Sequence, residues 1–150
     1  MSQIRFPNEI NPALPGIICI SHGPMACAVV ESAEMILGEL ENVAALGLEV
    51  NDSLEEYRRE LQEMWRKMPE NTVLLIDLFG GSPFNVLMKI IPELKRPVYA
   101  LSGLNLPMVL EIAQDRETHA DGKMIISNTM ESYRKAAVDV GEFVMDLMET

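Results

Sequence analysis

The chain has 150 residues, 48% of them hydrophobic, and a formal net charge of −11. That length suits one domain with a substantial core. So acidic a chain excludes nucleic acid, whose phosphates need a basic surface, and docking on anionic lipid, and it fits a protein that meets basic partners.

Residues 1–15 are polar and lack an apolar signal-peptide core, so they are expected to form a loose N-terminal extension. No run approaches the roughly 18 apolar residues of a spanning helix, and the expected compartment is the cytoplasm. Residues 16–20 (Gly-Ile-Ile-Cys-Ile) are apolar, β-branched and short, the pattern of a buried first strand. The strand gives way at Ser21-His22-Gly23 to a predicted helix over residues 26–37, which Gly38 closes. Residues 43–50 read as a second strand. Ser53 with Glu56 forms a capping box that opens a helix running to about Met68. Residues 72–76 are a continuous apolar run, as expected of a strand buried on both faces.

That third strand ends in Asp77-Leu78-Phe79-Gly80-Gly81-Ser82-Pro83-Phe84-Asn85, with Ser82 the expected N-cap and Pro83 the first helical residue. The helix continues to Pro92. A fourth strand over residues 97–101 ends in Ser102-Gly103-Leu104-Asn105, and a helix over residues 106–113 follows. Residues 114–123 read as a polar loop in which His119 is solvated. Residues 127–148 have a mostly helical pattern, and Gly141 could stop it and leave residues 143–148 as a short strand. Cys19 and Cys27 form no CxxC or metal spacing and are expected as buried, reduced thiols.

The β-α alternation predicts an α/β fold: a doubly wound, mostly parallel four-stranded sheet with helices on both faces. Its three glycine-bearing corners then share the edge at the strands' carboxyl ends, where open α/β sheets bind ligands. A carboxylate at Asp77 that accepts a bond from the Nδ1–H of His22 would leave Nε2 as a nucleophile. Helix N-termini and glycine backbone at Gly23, Gly80 and Gly81, with the Ser82 hydroxyl, would hold a phosphoryl group. Each part alone has a plainer use in a turn or cap; their agreement on one edge carries the reading. No cofactor or metal is expected: the phosphate loop GxxxxGK[ST] is absent, as is GxGxxG in the first corner.

These motifs, with Ser32-Ala33-Glu34-Met35-Ile36-Leu37-Gly38, Glu41-Asn42-Val43 and Ser102-Gly103-Leu104-Asn105-Leu106-Pro107-Met108, resemble the mannose-family enzyme IIA of the bacterial phosphoenolpyruvate-dependent sugar phosphotransferase system over about residues 16–148. The resemblance implies a phosphocarrier that takes a phosphoryl group from phospho-HPr on His22, paired with Asp77. It passes the group to EIIB for sugar uptake through the membrane components EIIC and EIID. It implies a homodimer that exchanges a C-terminal strand, here residues 143–148. Residues 16–150 would be the EIIA domain, with no EIIB segment fused after it. Met25, Phe84, Leu104, Asn105 and Met108 are the expected docking rim. The rivals are a phosphocarrier feeding a dihydroxyacetone kinase, a receiver-like domain phosphorylated on Asp77, and a small-molecule-binding α/β module. The Gly-Gly-Ser-Pro-Phe-Asn corner favours the sugar system, and Ser21-His22 stands where a receiver needs an acidic pair.

Overall fold

A computed structural model describes residues 3–149. The chain opens with β1 (Gln3–Arg5), β2 (Ile17–His22), α1 (Met25–Leu37), β3 (Val43–Leu48), α2 (Leu54–Lys67) and β4 (Val73–Ile76). It continues with α3 (Ser82–Ile90), a 3₁₀ turn at Ile91–Glu93, β5 (Tyr99–Ser102), α4 (Leu106–Asp115), α5 (Gly122–Tyr133) and α6 (Val140–Met148). The strands form one sheet in the order β1-β3-β2-β4-β5, in which β2 to β5 are parallel and β1 is antiparallel to β3.

Strand side chains alternate between the two faces, and both faces are covered. Ile17, Cys19, Val43, Ala45, Val73 and Leu75 pack with Val30, Val109, Ile112 and Ile125 of α1, α4 and α5. Ile18, Ile20, Ala44, Leu46, Leu74 and Ile76 pack with Tyr57, Leu61, Trp65, Leu87 and Ile90 of α2 and α3. This is why the strands read as continuous apolar runs. The predicted N-cap of α2 forms, with Ser53 Oγ accepting from the Glu56 amide at 3.3 Å. The other end of α2 is closed by Arg96, whose guanidinium donates to the Met68 and Trp65 carbonyls and lies 4.9 Å over the Trp65 ring.

The N-terminal segment is not loose. Three residues pair with β3, from Gln3 opposite Gly47 to Arg5 opposite Ala45, and Arg5 meets Glu34 at 2.6 Å. Phe6 and Ile10 pack on the core. Buried Asn42 donates to the carbonyls of Asn11 and Leu14 at 2.8 and 2.7 Å. Arg116, also buried, donates to Pro15 and Glu41 carbonyls, and burial lowers its pKa to about 10. The fifth strand of the sheet is therefore N-terminal. Residues 143–148 lie in α6, a helix exposed along its length, and the break before it falls at residues 134–139, not at Gly141. Among the described residues no helix is long and apolar enough to cross a membrane.

Both cysteines are free, Cys19 buried and Cys27 half-buried. Burial, with Cys27 nearby adding to it, pushes the Cys19 thiol from its ordinary 9.0 to about 12. A thiol held neutral in the fold stabilises fully below pH 9, and that contribution is lost as pH rises towards 12. Thiol reagents at pH 8 should therefore modify Cys27 in the native protein and Cys19 only after denaturant is added. Equal labelling rates for the two would contradict this burial.

Candidate functional site

From β2 the chain first moves out to β3, then crosses back to β4 on the other side of β2. The carboxyl ends of β2 and β4 thus flank the point where the winding reverses. His22 closes β2, and Asp77 follows β4. The two predicted partners meet: Asp77 Oδ2 lies 2.8 Å from His22 Nδ1 and also accepts the His22 backbone N–H at 2.9 Å. The Asp77 side chain is only 11% exposed and the imidazole 49%. A carboxylate can only accept, so Nδ1 carries the proton and Nε2 presents its lone pair. Asp77 Oδ1 is buried without a hydrogen-bond partner among the described residues. Beneath this pair the buried Tyr57 hydroxyl donates to the Leu46 carbonyl at 3.1 Å. Burial pushes its phenol pKa up, the Asp77 charge adds to the rise, and the Ser21 amide opposes it.

The glycine corner stands against the free side of the ring. A Cβ on Gly81 would lie 3.0 Å from His22 Cε1 and 3.3 Å from Nε2, and φ there is +84°. Gly81 is itself the N-cap of α3, and no side chain caps that helix. Ser82 is the first helical residue, not the N-cap, so α3 brings an N-terminus without a side-chain cap to the neighbourhood of Nε2. Gly80 has φ +91° with open space around its Cβ position, so it shapes the turn and does not wall the ring. On the other side Ser21 Oγ accepts the Ala26 amide at 2.8 Å and steadies the start of α1. Gly23, with φ +55°, donates to the Leu48 carbonyl at 2.7 Å.

The sequence reading missed Gly47. A Cβ there would come within 2.0 Å of the Gly23 carbonyl oxygen, so the turn carrying His22 fits over β3 only because residue 47 has none. The available signal was a glycine inside a strand, which marks close backbone approach.

The third corner plays a different part from the one expected. Leu104, just before α4, and Met108, within it, are 3% and 2% exposed and belong to the core shared with α1 and α5. They cannot form a docking rim. Asn105 spends its amide on structure, accepting the Met108 N–H at 2.9 Å and donating to the Gly103 carbonyl at 2.8 Å. Of the predicted rim, Met25 is exposed and Phe84 half-buried. Leu78 and Phe79, passed over in sequence, are exposed beside them. His119 is not simply solvated: its Nδ1 lies 2.7 Å from Asp115 Oδ1, and Asn128 donates to the other carboxylate oxygen at 3.1 Å. Asp115 is the last residue of α4, and the adjacent Arg116 binds the Pro15 and Glu41 carbonyls ahead of β2 and β3, so this second pair lies at the opposite edge of the sheet from His22.

Comparison with known proteins gives the chain a family. The family described as "PTS system fructose IIA component" matches residues 16–130. The fructose-specific EIIA component of Bacillus subtilis (strain 168) is 32% identical over 114 residues, which cover 75% of this chain and 77% of that protein. The mannose-specific EIIAB component of Escherichia coli (strain K12) is 28% identical over 123 residues; the match spans 79% of this chain but 37% of that longer protein. Among solved structures, the phosphotransferase component EIIA from Streptococcus agalactiae superposes with a TM-score of 0.80 at 28% identity, covering 86% of this chain and 99% of the other. The mannose/sorbose-specific IIA subunit from Enterococcus faecalis gives 0.73 at 28% identity, covering 83% and 93%.

Proposed function

The chain belongs to the mannose-type EIIA family of the sugar phosphotransferase system and is a phosphocarrier of that system, and on that premise we propose that His22 is the residue that bears the phosphoryl group. The observation that carries this is the 2.8 Å contact between Nδ1 and Asp77 Oδ2, with Nε2 left facing Gly81. HPr, phosphorylated by enzyme I from phosphoenolpyruvate, is the donor. The Nε2 lone pair of His22 attacks phosphorus in line. The donor's N–P bond breaks, and its electron pair returns to the donor imidazole. The Nδ1 proton stays on the His22 ring, where the Asp77 carboxylate offsets the charge that develops. The uncapped end of α3, Gly81 and the Ser82 hydroxyl receive the phosphoryl oxygens, whereas the Gly23 N–H is already given to the Leu48 carbonyl. EIIB takes the group in the reverse sense and serves EIIC and EIID.

Residues 16–150 form the EIIA domain in this reading, residues 1–15 are its N-terminal addition, and it works in the cytoplasm. It acts as a homodimer. Support for a second copy comes from α6, where Val140, Phe143, Val144 and Met148 are exposed at helical spacing.

Incubation with phosphoenolpyruvate, enzyme I and HPr is expected to place acid-labile label on His22. Asp77→Asn should fold normally yet accept phosphate about a hundredfold more slowly, because the imidazole loses both its aim and its fixed tautomer. Transfer to Asp77→Asn at the wild-type rate would remove the aspartate from the mechanism. Acid-stable, magnesium-dependent label on Asp77 would favour the receiver reading instead.

A further inference from the structure

The Leu78–Phe79 tip has no part in the chemistry above, yet it stands beside the reacting atoms. Asp77 is turned inward to His22, and two residues later Phe79 is 76% exposed, with Leu78 at 56%. Gly80 and Gly81, both with positive φ, fold the chain back and leave these side chains projecting. The Cβ position of Gly81 is 3.7 Å from Leu78 Cδ2 and 3.0 Å from His22 Cε1, so the tip flanks the imidazole. The Phe79 ring is steadied by Phe84 in the first turn of α3, with centroids 4.7 Å apart and planes tilted by 51°. An aromatic already held in place loses little freedom on binding, and it has much apolar area left to bury.

We propose that Phe79 is the anchor by which the phosphoryl-donating protein docks over His22, a proposal that rests on the phosphocarrier reading. The occupant is a protein bearing phosphohistidine with an apolar patch around it. Phosphorus cannot reach Nε2 from another protein's side chain without that protein covering the tip. Recognition here is apolar and close to the reacting atoms, so Phe79 governs how well the donor is held, while His22 and Asp77 govern the transfer itself.

A small donor separates the two roles. Phosphoramidate needs no docking: Nε2 attacks its phosphorus, the P–N bond breaks, and ammonia leaves. Phe79→Ala should lower the second-order rate with phospho-HPr by about thirtyfold, the usual cost of truncating an aromatic anchor, and leave the rate with phosphoramidate unchanged. Phe79→Trp should restore most of the rate with phospho-HPr. A wild-type rate for Phe79→Ala with phospho-HPr overturns the proposal. An equal loss with both donors also overturns it, and makes the side chain part of the turn that shapes the site. If the unaltered protein takes label from phosphoramidate but none from phospho-HPr, the phosphocarrier reading fails along with the anchor.

Discussion

His22→Gln is expected to abolish phosphoryl acceptance from phospho-HPr, with no acid-labile label above background. Glutamine can still reach towards Asp77, so the corner keeps a hydrogen-bonding side chain, but it offers no basic nitrogen lone pair at the position of Nε2. The chain has two histidines, and the second is the informative control. His119 is paired with Asp115 at 2.7 Å, much as His22 is with Asp77 at 2.8 Å. The carboxylates are equally buried, each 11% exposed. What His119 lacks is the setting, since it follows the end of a helix at the far edge of the sheet and faces no glycine corner. His119→Ala should accept label at the wild-type rate. Full labelling of His22→Gln, with the label found on His119, would show that the dyad alone suffices and that the backbone cradle is dispensable.

Gly81→Ala should be the most damaging change that leaves both dyad residues in place, with a fall in acceptance rate of about a hundredfold. Two costs coincide. Alanine at φ +84° and ψ 173°, a region essentially reserved to glycine, is strained by roughly 1–3 kcal/mol. Its methyl group would also stand 3.0 Å from His22 Cε1, so either the ring tilts off its line to Asp77 or the start of α3 retreats from Nε2. Gly80→Ala separates these costs. Its φ of +91° carries similar strain, but its Cβ meets nothing within 4 Å. It should lose comparable thermal stability while keeping most of the transfer rate. Equal rates for the two variants would mean that the approach of Gly81 to the ring has no bearing on transfer.

The parts of the fold legible in sequence were those set by burial on both faces. β2 and β4 are unbroken apolar runs because each alternate side chain finds a covered face. His22 and Asp77 stood out as the polar residues that end those runs. Their pairing followed once parallel winding put both strand ends at one edge. The failures have local causes. β1 is three residues long and carries no periodicity, and tertiary pairing with β3 alone makes it a strand. Leu104 and Met108 sit in sequence beside a glycine corner just as Leu78 and Phe79 do. Which pair faces water depends on the direction in which α4 leaves the corner, and composition does not encode that. Ser82 has the composition of a cap but lies inside the helix, because Gly81 takes the cap position with a backbone conformation that serine resists. Gly47 carried the mark of a glycine inside a strand, but the Gly23 carbonyl it makes room for lies in a different corner of the chain.

The short strand at the start of the chain has one further effect. A β-sheet with two bare margins can be extended from either side, and identical molecules can then add to one another without limit. Here the margin along β3 is covered by Gln3–Arg5, which pair with Gly47, Leu46 and Ala45. What is left on that side is an edge of three residues, too short to seat much of another molecule's strand, and the opposite margin, β5, is only four residues long.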